Sequence, residues 1–102
     1  MPLVSVWLIR HEPSGYYIPL PRGRGGRGGS YVEPSDLAQE SPRLFWSERA
    51  AKSYLGLWAL GKFYEKQYQD YEGNWDIDAG VTPVPTRNKA DMRIVKLEIE
   101  LP

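Results

Sequence analysis

The chain has no cysteine, a single histidine and no net charge: thirteen Lys and Arg balance thirteen Asp and Glu over 102 residues. Without cysteine there is no disulfide framework, no thiolate nucleophile and no cysteine-ligated zinc, and a reducing intracellular compartment is the simplest fit. His11 stands alone beside the turn formers Pro13, Ser14 and Gly15, so a histidine metal cluster is impossible and a nucleophile with a histidine base is not expected. The neutral balance argues against extensive duplex binding, which needs many phosphate charges to be neutralised. Long apolar runs are missing too. The opening "MPLVSVWLIR" is too short to span a membrane and lacks a basic leader and a cleavage site, which predicts a cytoplasmic protein complete at its N-terminus.

What is present in excess is aromatic surface, with four Trp and seven Tyr. "VSVWLIR", the breaker "HEPSG" and "YYIPL" read as a β-hairpin, with Pro19 pushing its second strand toward an edge. "SYVEP" and "PRLFW" read as short strands. Ser47 is a good N-cap, and Glu48 places negative charge in the first turn of a helix over "SERAAKSYLGLWALGKF". Ala51, Tyr54, Leu55 and Trp58 draw one apolar stripe along it, which Leu57, Leu60 and Tyr64 widen. Gly61 suits a C-terminal cap, so the helix ends between 61 and 68. Residues 64–91 are polar, rich in turn formers and without period, and read as a long acidic loop. In "MRIVKLEIEL" Val95, Leu97, Ile99 and Leu101 alternate with Lys96, Glu98 and Glu100, which marks a half-buried strand. The expected fold is a single α+β domain: an antiparallel sheet of four to five strands with one main helix packed on one face.

Two segments carry the candidate chemistry. "PRGRGGRGGSYVEP", residues 21–34, packs three arginines and five glycines into fourteen positions. Glycines let backbone N–H groups converge on an anion, and guanidinium forks grip phosphate bidentately, so Arg22, Arg24, Arg27, Gly25, Gly26, Gly28 and Tyr31 form a candidate phosphate site. The segment lacks the Lys-Ser/Thr of a phosphate-binding P-loop, and a solvated loop or an RGG-like contact with single strands is equally consistent with it. The second segment, 62–78, holds five acids against two lysines, together with Tyr64, Tyr68, Tyr71, Trp75 and Asp76. Such an acidic aromatic surface can mimic nucleic acid or fill a basic groove on another protein; packing under a loop is the plainer explanation of its rings. The two poles can satisfy each other within one molecule or between the copies of a homo-oligomer. Asn74, Asp76, Asp78 and Gly80 have nearly the spacing of calcium-loop ligands, but the glycine comes one residue late and Pro85 stands where the closing Glu is needed.

Pro42, Arg43, Leu44, Phe45, Arg49, Ala50, Ala51, Leu55, Trp58 and Gly61, followed by Arg87, Asp91, Met92, Ile94 and Val95, form a pattern over the C-terminal two thirds. In these positions the chain resembles a group of small proteins encoded by tailed bacteriophages and prophages. No activity is assigned to that group, so the resemblance brings no site residues. It implies a phage accessory product acting in the host cytoplasm, where small folded proteins often neutralise a host enzyme, an immune complex or an immune signal. The expectation is a non-catalytic protein without metal or cofactor that sequesters a phosphate-bearing ligand, such as a nucleotide signal or single-stranded nucleic acid, through 21–30. The alternative is an inhibitor that binds a host protein through 64–78.

Overall fold

The computed structural model describes residues 2–21 and 28–102. In chain order the elements are β1 (Leu3–His11), β2 (Tyr16–Tyr17), a 3-10 turn (Gly28–Tyr31), α1 (Glu48–Leu60), β3 (Lys62–Gln69), β4 (Trp75–Thr82), a second 3-10 turn (Lys89–Asp91) and β5 (Met92–Glu100). The fold is α+β, as the sequence implies, with one α-helix and five strands among the described residues. The strands divide into two antiparallel sheets: β2-β1-β5, and a separate hairpin β3-β4.

β1 is central because "VWLI", residues 6–9, is apolar at consecutive positions, the mark of a strand covered on both faces. It pairs with β5 along its whole length, from Leu3 opposite Glu100 to His11 opposite Met92. On one face Trp7, Ile9, Met92 and Ile94 pack with Ala51, Leu55 and Trp58 of α1, together with Ile18, Val32 and Phe45. The opposite face carries Val4, Val6 and Leu8 beside Ile99, Leu97 and Val95. Val6 and Leu8 are buried there, so both sides of β1 are enclosed.

α1 forms as its sequence predicts. Ser47 Oγ accepts from Ala50 N, and Gly61 closes the helix with its N–H on the Trp58 carbonyl. The helix thus ends at Leu60, the near limit of the expected range, because Gly61 at φ 132° holds a backbone that side-chain-bearing residues rarely adopt. The stripe is narrower than expected. Leu57 and Leu60 are exposed, and Tyr64 lies beyond the helix in β3.

Two other expectations need correction. "SYVEP" and "PRLFW" do not form strands: the first begins in the 3-10 turn and Ser35, just after it, makes a single bridge to Tyr17, while the second contributes the single bridges of Pro42 to Pro19 and Phe45 to Trp7. Prolines 34 and 42 remove the donors a longer ladder would require. Residues 62–82, expected mostly as loop, form the β3-β4 hairpin. It extends from the body and stretches the molecule to 63 Å along its long axis. The radius of gyration is 16.9 Å, against the roughly 13 Å of a compact domain this size.

Candidate functional site

The hairpin is rooted in a polar joint built around Arg87. This side chain is wholly buried: its Nε donates to Glu33 Oε1 at 2.8 Å, Nη1 to the Trp58 carbonyl at 2.8 Å and Nη2 to the Ser30 carbonyl at 2.7 Å. The guanidinium also lies 4.5 Å from the Trp58 ring centre, and Trp58 Nε1 donates to the Val32 carbonyl at 2.8 Å. A planar fork suits this task because one group serves several carbonyls and one carboxylate at once. Arg87 therefore clamps the end of α1 to segment 30–33.

That segment in turn holds the hairpin. Phe63 N donates to Ser30 Oγ at 3.0 Å, and Tyr31 Oη donates to the Phe63 carbonyl at 2.5 Å. Gly61 lies against the end of β4, where a Cβ would stand 2.1 Å from the Thr82 carbonyl oxygen. Tyr54 donates to the Gly29 carbonyl, and its ring lies 4.7 Å from the Arg43 guanidinium. Burial pushes the Tyr54 hydroxyl up to about 12, with the Arg43 charge opposing that shift.

Beyond the root, β3 and β4 pair rung by rung from Lys62 opposite Thr82 to Gln69 opposite Trp75. Alternation gives the hairpin two unlike faces. One carries Tyr64, Lys66 and Tyr68 opposite Gly80, Asp78 and Asp76. Here Tyr64 lies across Gly80, whose missing Cβ makes room for the ring. Tyr68 Oη donates to Asp76 Oδ2 at 3.2 Å, and this bond to a carboxylate raises the Tyr68 pKa. The other face carries Phe63, Gln67 and Gln69 opposite Val81, Ile77 and Trp75. Trp75 is 72% exposed and Ile77 56%.

The tip is a closed turn. Asp70 N donates to the Asn74 carbonyl, Asp70 Oδ1 accepts from the N–H groups of Glu72 and Asn74, and Gln69 Nε2 donates to the Gly73 carbonyl. Gly73 supplies the positive φ, 87°, that lets the chain reverse. The turn presents Tyr71 with 97% of its surface open.

The structure thus divides the acidic aromatic residues of the sequence. Tyr64, Tyr68 and Asp76 share a face, Trp75 stands on the reverse and Tyr71 crowns the turn. Ile77 and Val81, which extend the Trp75 face, were not among the sequence candidates, although Trp75, Ile77, Ala79 and Val81 alternate with Asp76, Asp78, Gly80 and Thr82 in plain view. Of the phosphate-site candidates, Arg22, Arg24, Arg27, Gly25 and Gly26 lie outside the described residues. Gly28 opens the first 3-10 turn, and the Tyr31 hydroxyl is engaged with the hairpin root.

A cavity of about 280 Å³ opens beside the Arg87 joint, with His11, Ser14, Glu33 and Asn88 on its wall. Ser14 Oγ lies 2.7 Å from His11 Nδ1 and accepts from Tyr16 N at 3.1 Å. These bonds span three residues or fewer and close the β1-β2 turn. Among the described residues no group of carboxylates and histidines is placed to hold a metal ion, and no helix is long and apolar enough to cross a membrane. No protein-family model, curated protein or solved structure matches the chain.

Proposed function

We propose that this is a non-catalytic binding protein whose β3-β4 arm docks into a basic, apolar-lined groove of a partner protein. In the phage setting that the sequence resemblance suggests, the partner is a host enzyme or defence complex and docking inhibits it. One observation carries the reading: a hydrogen-bonded hairpin holds Tyr71 and Trp75 almost bare in solvent. Large aromatic side chains presented on an ordered backbone are the usual anchors of protein interfaces, because they bury much area at small entropic cost. Residues 65–78 hold five acids against Lys66 alone, which selects a positively charged groove and speeds encounter with it.

A second reading keeps the Gly/Arg segment as a site for nucleotides or single-stranded nucleic acid. Its support is the unbroken positive charge of Arg22, Arg24 and Arg27 and the firm anchorage of the residues that follow, 29–31. One design separates the two. Immobilised wild type, an arm variant (Tyr71→Ser with Trp75→Ser) and a loop variant (Arg22, Arg24 and Arg27→Ala) are each exposed to bacterial host lysate and, separately, to nucleotides and short single strands. The arm reading expects one host protein to be retained by wild type and loop variant and lost from the arm variant. Retention by the arm variant, or binding confined to the nucleotides and single strands, overturns it.

A further inference from the structure

We infer that two copies of this chain join edge to edge through β5, extending the three-stranded sheet across a two-fold axis at Leu97. β5 pairs with β1 on one side only, and among the described residues no strand lies on its other side. Leu101 N donates to the Pro2 carbonyl and Glu12 N to the Asp91 carbonyl, which fixes the hydrogen-bonding pattern between β1 and β5. Arg93, Val95, Leu97 and Ile99 turn their backbone groups toward β1. Met92, Ile94, Lys96, Glu98 and Glu100 turn theirs toward the open edge.

An open edge nine residues long is a template for another strand. A second β5 can meet it antiparallel about a two-fold axis only if outward-turned residues oppose one another. Centring the axis on Lys96 sets lysine against lysine, centring it on Glu98 sets glutamate against glutamate, and centring it on Ile99 twice sets Glu98 against Glu100. Centring it on Val95 places Lys96 against Ile94 and Glu98 against Met92, with no pair of opposite charges. The axis at Leu97 is the one that sets Lys96 against Glu98 of the second copy on both sides. It also places Val95 against Ile99 and Leu97 against Leu97 on the opposite face, covering a side chain that is 47% exposed. Within one molecule Lys96 reaches Glu98 only loosely, at 3.8 Å.

The same register accounts for a groove between α1 and β5. Lys52, Leu55, Lys89, Met92, Arg93 and Ile94 line a cavity of about 440 Å³, with the two lysines beside apolar side chains on the helix side. Ile94 stands opposite Glu100 of the second copy, on the helix side of the sheet, so that carboxylate arrives at a basic groove. Both charge relations follow from one axis, which makes the second copy a better fit than a strand of arbitrary sequence.

Sedimentation velocity on the intact chain from about 1 to 300 μM spans the range in which a modest interface associates. Wild type should show a reversible monomer-dimer equilibrium. Lys96→Glu should weaken it roughly tenfold or more by turning two attractive pairs repulsive, and the double exchange Lys96→Glu with Glu98→Lys should restore it. Because the chain has no cysteine, Leu97→Cys gives an independent test that does not rely on the charge variants folding. Paired residues at such a position lie about 4.5 Å apart between Cα atoms, within reach of a disulfide. Mild oxidation should cross-link Leu97→Cys to a dimer and leave Val81→Cys monomeric. A wild type that stays monomeric throughout, a Lys96→Glu variant that associates like wild type, or equal cross-linking at 97 and 81 overturns the inference.

Discussion

β1 and β3 are strands of nearly equal length, nine residues and eight, in very different surroundings. β1 lies between β5 on one side and β2 and the Phe45 bridge on the other, with Ile9 fully buried on one face and Val6 on the other. Among the described residues β3 has β4 as its one ladder partner, and from Glu65 to Gln69 every residue is exposed. The same backbone conformation serves opposite ends. In the body it gathers apolar side chains out of water. In the arm it carries apolar side chains into water, where burial on folding contributes little and contact with a partner could contribute much. An isolated two-stranded hairpin is at best marginally stable. The arm therefore depends on its two ends, the Arg87 joint at the root and the Asp70 turn at the tip.

The contrast breaks most severely at the joint. Arg87→Ala removes at once the hydrogen bonds its guanidinium donates to the Ser30, Val32 and Trp58 carbonyls and to Glu33, and a cost of about 3 to 5 kcal/mol is expected in chemical denaturation. Arg87→Lys should recover only part of it, because an ammonium cannot reproduce the fork. Gly61→Ala, at the hinge between helix and arm, combines a positive φ with a Cβ driven into the Thr82 carbonyl. A loss of about 1 to 3 kcal/mol should appear in the same measurement.

The Tyr54 hydroxyl sharpens the contrast through pH. Its folded pKa, about 12, exceeds the ordinary value of 10.0. The folded state therefore keeps a proton that the unfolded chain releases. The contribution of this group is complete below pH 10 and lost as pH rises toward 12. Thermal melts of wild type should decline across that window more steeply than those of Tyr54→Phe. The smallest effect is expected where the arm is most bare: Trp75→Ser and Ile77→Thr should each change stability by less than about 0.5 kcal/mol. A larger loss would mean that the Trp75 face is packed in solution.

The body was largely legible in the sequence because burial leaves a period. Ser47 and Gly61 mark the helix ends, Ala51, Leu55 and Trp58 its inner face, and Val95, Leu97 and Ile99 the final strand. The arm was not, for the complementary reason. In "KFYEKQYQ" polar residues fall on both faces, since neither is enclosed, so β3 has no alternation to read. β4 does alternate, but its acids and the flanking glycines resemble loop composition. Arg87 entered the sequence reading only as one position of a pattern: a lone arginine in "PVPTRNKAD" gives no hint that it is the buried clamp, since its partners come from segments more than fifty residues upstream and from the end of α1.

The separation of body and arm is tested most directly by shortening the arm. Lys66 and Asp78 are cross-strand partners, and an Asn-Gly pair in place of residues 67–77 would join them through a tight two-residue turn. The shortened chain removes Tyr68, Tyr71, Trp75, Asp76 and Ile77 while keeping the root. In calorimetry it should unfold in a single cooperative transition within about 4 °C of wild type, the shift that corresponds to less than about 1 kcal/mol in a domain this size. A melting temperature lower by about 10 °C or more, or the loss of the cooperative transition, would show that the arm is part of the folding unit and would contradict its assignment as a surface for contact.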